Sequence, residues 1–203
     1  MYFDIVCPDN NESDFIEMAK KLGYGGLCFV YEQMPEKTED ESLQVYYGLF
    51  AEDVKKARKS ADFVVAKDVK NPRPYVEKYV PDLLMGMEKE GKKDFMHQRN
   101  SGVDNVISGL AAKKGVALGF SLKDCEDTKV LGRIMQNIVL CEKYNVDAIP
   151  CSMAETPLEM RNPRDVISLF SWLGMKNPKN SMQKIGEIIE RNKKIRKGLF
   201  LRL

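Results

Sequence analysis

Few side chains in this sequence have the types needed for self-sufficient hydrolysis. The chain has one histidine, His97, whereas a metal-dependent barrel hydrolase brings several imidazole and carboxylate ligands to one ion. No G-x-S-x-G nucleophile elbow surrounds Ser152. The glycines around Tyr24 lack the Lys-Ser/Thr ending of a phosphate-binding P-loop. The sequence therefore predicts no catalytic residue and no metal ligand on this polypeptide.

Basic residues are the better candidates for function, and contact with RNA phosphates is the chemistry that they suit. Four of them lie just after predicted strands or just before predicted helices, beside helix N-termini that favour anions. After Glu190 no acidic residue follows, and the end of the chain is basic. Each of these positions is equally compatible with ordinary surface charge. The predicted RNA-binding residues are Lys67, Arg99, Lys123, Arg161, Lys193, Lys194, Arg196 and Lys197.

The bulk composition indicates a globular protein and excludes several classes. The 203 residues carry a net charge of +2, which alone does not argue for a nucleic-acid partner. No apolar run is long enough to span a membrane, and the N-terminus lacks the pattern of a secretory signal. The five cysteines form no C-x-x-C pair, which favours reduced thiols. We therefore expect a cytoplasmic protein with no membrane partner.

Short apolar runs alternate with helical patterns along the whole chain. The continuous runs Phe63–Ala66 and Val116–Phe120 are typical of parallel strands that are covered on both faces. Helices are predicted between Asn11 and Gly23, after a Ser101–Asp104 capping box, at about Asp127–Tyr144 and at Lys179–Arg191. The predicted strands are Tyr2–Val6, Gly26–Tyr31, Gln44–Phe50, Asp62–Ala66, Asp82–Met85, Asp94–His97, Gly115–Phe120 and Asp147–Cys151.

This alternation predicts an α/β fold, a small TIM-barrel-like (β/α) barrel. The segment between Met85 and Asp94 is too short and polar for a full crossover helix. Either one barrel unit is degraded, or one strand prediction is wrong. A doubly wound open sheet is the alternative fold. The predicted domain organisation is a single barrel domain over residues 1–192 and a basic C-terminal tail over residues 193–203.

The segment 94–107, Asp-Phe-Met-His-Gln-Arg-Asn-Ser-Gly-Val-Asp-Asn-Val-Ile, resembles the central motif of the archaeal ribonuclease P protein component 3 family, which includes the eukaryotic thirty-kilodalton ribonuclease P subunit. Further family landmarks follow in the expected order over about residues 2–192. They are Phe3–Pro8, Leu22-Gly23-Tyr24, Gly119-Phe120-Ser121, Met160–Pro163 and Leu173-Gly174-Met175.

The resemblance implies a barrel related to the polymerase and histidinol phosphatase superfamily, without that superfamily's histidine-rich metal centre. It further implies a subunit of an endoribonuclease, a hydrolase in which ribonuclease P RNA removes the 5′ leader from precursor tRNA. The protein would bind no cofactor, and the partner RNA would require Mg²⁺. The implied partners are that RNA, precursor tRNA, ribonuclease P protein component 2 (as a heterotetramer) and other subunits of the particle.

Two other functions remain open from the sequence. The first is a metal-dependent barrel phosphoesterase with a carboxylate site built from Asp4, Asp9, Glu32 and Asp68. The second is a scaffold that binds only another protein. The roles of His97 and Arg133 are not settled, since Arg133 could pair with an acid, face solvent or touch RNA.

Overall fold

Seven parallel strands form the centre of the molecule, in a computed structural model that describes residues 1–36, 40, 42–90 and 93–197. Each described strand pairs in parallel with the next one along the chain, so the spatial order equals the sequence order. The strands are β1 Phe3–Val6, β2 Gly26–Tyr31, β3 Gln44–Phe50, β4 Phe63–Lys67, β5 Leu83–Met85, β6 Ala117–Ser121 and β7 Ala148–Cys151.

The sheet curls until its first and last strands meet. Beyond the end of β7, the Met153 N–H donates to the Ile5 carbonyl at 2.9 Å, and the Cys7 N–H donates to the Ala154 carbonyl at 2.8 Å. A doubly wound sheet reverses its strand order at a switch point, and the order here never reverses. The barrel prediction is therefore confirmed, and the open-sheet alternative is wrong.

The strand predicted at Asp94–His97 is wrong. β5 pairs directly with β6, with Leu84 opposite Leu118. The segment itself lies on the surface, where Phe95 is 59% exposed and Met96 is 91% exposed. The apolar residues of this segment resemble those of a buried strand in the sequence, but their side chains face solvent. The sequence left two alternatives for this stretch, a degraded barrel unit or a wrong strand prediction, and the second is correct. The reduced unit is instead the β2–β3 connection, where the described residues form no helix.

Within the described residues, six helices and several single turns surround the barrel. In the helix Asn105–Lys114 the N-cap is Asp104, which accepts from the Ile107 N–H at 2.8 Å, so the predicted cap at Ser101 is wrong. The buried Ser101 hydroxyl instead donates to the Val103 carbonyl at 3.3 Å. Tyr75–Tyr79 is a π-helical turn. The helices are α1 Glu12–Leu22, α2 Val54–Ala57, α3 Asn105–Lys114, α4 Thr128–Tyr144, α5 Pro163–Trp172 and α6 Pro178–Arg196.

The last helix, α6, lies across the amino-terminal opening of the barrel. Its Ile185, Ile188 and Ile189 pack with the inward-facing residues of the strands. A Cβ placed on Gly186 would lie 2.7 Å from the Phe3 ring, so only glycine permits this close approach. The isoleucine stripe of α6 therefore belongs to the core.

Ion pairs attach both halves of α6 to opposite sides of this opening. Lys184 lies 3.7 Å from Asp147 before β7, and Arg196 lies 2.8 Å from Asp62 before β4. The helix ends at Arg196 rather than at the predicted Arg191, and the predicted domain boundary at residue 192 falls inside it. Residues 198–203 of the predicted tail lie outside the described residues.

Candidate nucleic-acid interface

The end of α2 and the last turns of α6 meet at the amino-terminal end of the barrel, where Arg58 donates to Asn192. The last turns of α6 carry three of the sequence-predicted RNA-binding residues, and a fourth, Lys197, is its C-cap. Next to them lie α2 and the turn that follows it, which contribute a second basic run. We call this surface the basic face, and it consists of Lys55, Lys56, Arg58, Lys59, Arg191, Lys193, Lys194, Arg196 and Lys197.

A buried carboxylate joins the two halves of the basic face. Asp82 is fully buried, and its Oδ2 accepts from the Val64 N–H at 2.9 Å. Its Oδ1 lies 2.9 Å from an Arg58 guanidinium nitrogen and 3.6 Å from one of Arg191. Arg58 also donates to Asn192 Oδ1 of α6 at 3.3 Å. These contacts fix α2 and α6 against each other, because the Asp82 charge needs both arginines once it is buried.

The remaining cations divide into anchored and free side chains. Arg196 pairs with Asp62, and the Lys193 ammonium lies 4.5 Å from the centre of the Tyr46 ring. The other lysines of the face are exposed and form no ion pair with any described residue. Unpaired cations of this kind are available to phosphates without first breaking an internal ion pair. They are Lys55, Lys56, Lys59, Lys194 and Lys197.

The α2 half of the basic face was missed by the sequence reasoning. Its signal is present, since residues 55–59 read Lys-Lys-Ala-Arg-Lys. A short basic run of this kind is a recognised signature of nucleic-acid contact. The adjacency of the run to the C-terminal end of α6 depends on Asp82 and could not be derived from sequence spacing.

The mouth of the barrel brings together two more predicted residues, Lys67 and Lys123. They line a cavity of about 170 Å³, together with Lys89. Lys89 pairs with Asp68 at 2.6 Å, and Lys123 lies 3.4 Å from Glu155. The charges at the mouth are therefore largely balanced, which makes this cavity a weaker phosphate site than the basic face.

Arg99 and Arg161 lie apart from both groups. The Arg99 guanidinium packs closely against Gly132 of α4. A Cβ added at Gly132 would come 2.5 Å from the guanidinium carbon. The Arg161 guanidinium donates to the Leu158 and Met160 carbonyls at 3.0 Å and 2.9 Å. His97 is exposed beside Arg99 in the surface segment and does not stand at a strand end. The predicted RNA-binding set is thus distributed over separate surfaces, and its role stays a prediction.

Arg133 pairs with an acid, which answers the question that the sequence left open. The side chain is only 1% exposed, and its guanidinium donates to Asp94 Oδ1 at 2.8 Å and to the Glu88 carbonyl at 2.9 Å. One turn later, the Gln136 side chain accepts from the Arg99 N–H at 3.0 Å and donates to the Arg99 carbonyl at 3.1 Å. These contacts from α4 hold the surface segment 94–101 in place.

The carboxylates of the alternative phosphoesterase site have separate environments. Asp4 lies in the seam between β1 and β7, where it accepts from the Ser152 N–H at 2.7 Å and from the Ile5 N–H. Burial raises the pKa of its carboxyl to about 6, against the lowering effect of these hydrogen bonds. Asp68 pairs with Lys89, and Glu32 is exposed. Across the described residues, no three His, Cys, Asp or Glu side chains converge as a ligand set.

A second buried carboxyl, Glu88, predicts a pH dependence of stability. Neither of its oxygens accepts a hydrogen bond from another described residue, and burial raises its pKa from 4.5 to about 7. The folded protein therefore takes up this proton at a higher pH than the unfolded chain does. We expect the free energy of unfolding to fall as the pH rises from about 4.5 to about 7, and to level off above that.

Urea denaturation across that pH range checks this expectation. Glu88→Gln should make the decline shallower, leaving the smaller contribution of Asp4 at lower pH. The exposed Glu187→Gln is the matched control and should follow the parent protein. Equal pH slopes for Glu88→Gln and the parent would contradict the assignment.

The chain is similar in sequence to curated archaeal proteins, although no family model matches it. Ribonuclease P protein component 3 of Thermococcus kodakarensis is 37% identical over 87 residues, which are 40% of each chain. The same-named protein of Methanocaldococcus jannaschii is 25% identical over 185 residues, 78% of this chain and 77% of that one. The matched segment thus spans about two fifths of the Thermococcus relative and about three quarters of the Methanocaldococcus one.

Solved structures share the fold. A chain in the cryo-EM structure of archaeal ribonuclease P with mature tRNA superposes with a TM-score of 0.74 at 22% identity, covering 94% of this chain and 90% of that chain. Histidinol phosphate phosphatase from Lactococcus lactis gives 0.57 at 10% identity, covering 86% and 94%. The predicted barrel fold is therefore shared with a histidinol phosphate phosphatase. In sequence, the chain is therefore similar to archaeal proteins named ribonuclease P protein component 3.

Proposed function

We propose that this protein is a subunit of the ribonuclease P ribonucleoprotein and supports the removal of the 5′ leader from precursor tRNA by the RNA. The observation that carries the proposal is the basic face. It presents exposed lysines without described ion partners on α2, on the turn that follows it and at the end of α6. The named archaeal relatives point to the same particle.

The basic face supplies what a folded catalytic RNA lacks. Such an RNA packs its own phosphates together, and each lysine near a phosphate releases bound counterions. The face sits on a rigid junction, because Asp82 and Arg58 hold α2 against α6. A rigid charged surface reads RNA by shape and backbone rather than by base sequence.

The proposal leaves the chemistry to the RNA. In this account Mg²⁺ is bound by the RNA and the protein carries no catalytic residue. Its partners are ribonuclease P RNA, precursor tRNA and the smaller component 2 protein, with which it forms a heterotetramer. The support is the name of the archaeal relatives and the likeness to a chain in the structure of archaeal ribonuclease P with mature tRNA.

Reconstitution of leader removal tests this function. The protein and component 2 are added to ribonuclease P RNA, and cleavage of 5′-labelled precursor tRNA is followed at rising Mg²⁺. We expect faster cleavage and a lower Mg²⁺ requirement than for RNA alone, and no cleavage by the protein alone. No gain over RNA at any Mg²⁺ concentration would count against the proposal. Protein-only cleavage that survives a nuclease control would refute it.

A further inference from the structure

A groove with two tyrosines runs along the outer surface of the barrel beside α2. Its cavity volume is about 520 Å³, and it is lined by Glu52, Asp53, Val54, Lys55, Tyr75, Lys78 and Tyr79. The groove continues the basic face, since Lys55 belongs to both. Its size falls within the range of sites that enclose a small organic ligand.

Tyrosine rings form one wall of the groove. Tyr75 and Tyr79 pack edge to face, with ring centres 5.2 Å apart. Tyr75 is half-buried and supports its neighbour, while Tyr79 remains 47% exposed. A supported, exposed aromatic ring loses little conformational freedom when a flat ligand stacks on it.

Two lysines of the groove are free to contact an anion bound next to the ring. Lys55 and Lys78 are exposed and form no ion pair with any described residue. The Asp53 carboxylate accepts from the Lys56 N–H at 3.1 Å, so its charge faces the first turn of α2. Glu52 is the one lining acid without such a contact among the described residues, and it can accept from an N–H group of a base.

The backbone that carries the tyrosines has an unusual conformation. Tyr75–Tyr79 is a π-helical turn, closed by the Val80 N–H donating to the Tyr75 carbonyl at 2.7 Å. Val80 has φ of +50°, which is costly for a β-branched residue. Arg58 stabilises it by donating to the Val80 carbonyl at 2.8 Å. Strained backbone and π-turns occur frequently at binding sites.

We propose that this groove binds one unpaired nucleotide of a single-stranded RNA segment. The base stacks on Tyr79, and Lys55 and Lys78 contact the flanking phosphates. Alternating aromatic and basic side chains are the arrangement by which proteins hold single strands without reading their sequence. The inference rests on the proposed function, and it adds a site for unpaired RNA to a face that contacts phosphates.

Fluorescence anisotropy with two labelled RNAs tests the groove. One probe is a short oligouridylate, and the other is a fully paired RNA hairpin of the same length. Tyr79→Ala should weaken oligouridylate binding about five- to a hundredfold and leave hairpin binding unchanged. Tyr79→Phe keeps the ring and should bind as the parent does. Trp172→Ala, at an exposed aromatic residue of α5, is the matched control.

The failure of the groove and the failure of the proposed function give different results. Lys194→Ala with Lys197→Ala should weaken the binding of both RNAs, because these lysines lie on the basic face. If that variant loses binding while Tyr79→Ala keeps full oligouridylate affinity, the groove assignment alone is overturned. The groove assignment is also overturned if Tyr79→Ala weakens hairpin and oligouridylate binding equally. It is likewise overturned if Tyr79→Ala abolishes binding of a protein partner and leaves RNA binding unchanged. If the parent protein binds neither RNA, both proposals fail.

Discussion

Alanine at the five unpaired lysines of the basic face is expected to weaken RNA binding on the order of a hundredfold or more near physiological salt. The variant carries Lys55→Ala, Lys56→Ala, Lys59→Ala, Lys194→Ala and Lys197→Ala. Each lysine that contacts a phosphate contributes a slope of about −0.7 to −0.9 to the dependence of log affinity on log salt. The loss should therefore appear as a flatter salt dependence, by up to about four units.

The fold should survive these substitutions. All five side chains are exposed, and the residues that join α2 to α6, Asp82 and Arg58, remain in place. Alanine is also favourable within helices. Thermal denaturation of the variant should match that of the parent protein, which separates loss of charge from loss of structure.

Binding to ribonuclease P RNA, measured by gel shift at several salt concentrations, checks the prediction. The matched control is Lys179→Ala with Arg164→Ala. Both residues are exposed, and Lys179 lies in the first turn of α6, roughly 22 Å from Lys194 at 1.5 Å per residue. The control should keep the parent slope. A parent-like slope in the five-lysine variant would mean that phosphates are contacted elsewhere.

Arg133→Met is expected to cost about 3 kcal/mol of unfolding free energy, the lower end for breaking a buried ion pair. Methionine fills similar space without a charge, so the cost comes from the partners that lose their donor. These are Asp94, whose side chain is 27% exposed, and the buried Glu88 backbone carbonyl. The partial exposure of Asp94 is the reason for choosing the lower end, since water can replace part of the lost contact.

The same substitution should release the surface segment 94–101. Urea denaturation gives the free energy of unfolding, and amide hydrogen exchange reports the Arg99 N–H, which Gln136 protects in the folded protein. Arg99→Ala is the matched control, because its exposed guanidinium makes only a 3.7 Å contact with Asp94. That control should change stability little. An Arg133→Met protein with parent stability and parent exchange would show that the α4 contacts do not hold the segment.

Local sequence patterns were sufficient to predict most of the barrel. Continuous apolar runs such as Phe63–Ala66 fall within observed strands, and the alternation of strands and helices predicts the parallel barrel order. The failure at Asp94–His97 has a long-range cause. The residues Phe-Met-His at 95–97 are typical of a strand. Asp94, however, pairs with Arg133, which lies 39 positions further along the chain, and this contact holds the segment outside the sheet.

The candidate site was predictable in part for the same reason. Basic residues at 193–197 were found because no acid interrupts them, and the run at 55–59 carries an equally local signal. These two basic runs are joined through Asp82, which pairs with Arg58 and Arg191. The sequence placed Asp82 only at the start of a strand. The groove at Tyr79 depends on a π-helical turn, and hydrophobic periodicity carries no signal for such a turn.

We propose that this polypeptide contributes positive charge to a catalytic RNA. The Mg²⁺ dependence of leader removal from precursor tRNA tests it most directly, with ribonuclease P RNA and component 2 held constant. The parent protein should lower the Mg²⁺ concentration at half-maximal rate, and the five-lysine variant should return it close to the value without this protein. A variant that lowers the Mg²⁺ midpoint as fully as the parent would contradict the claim.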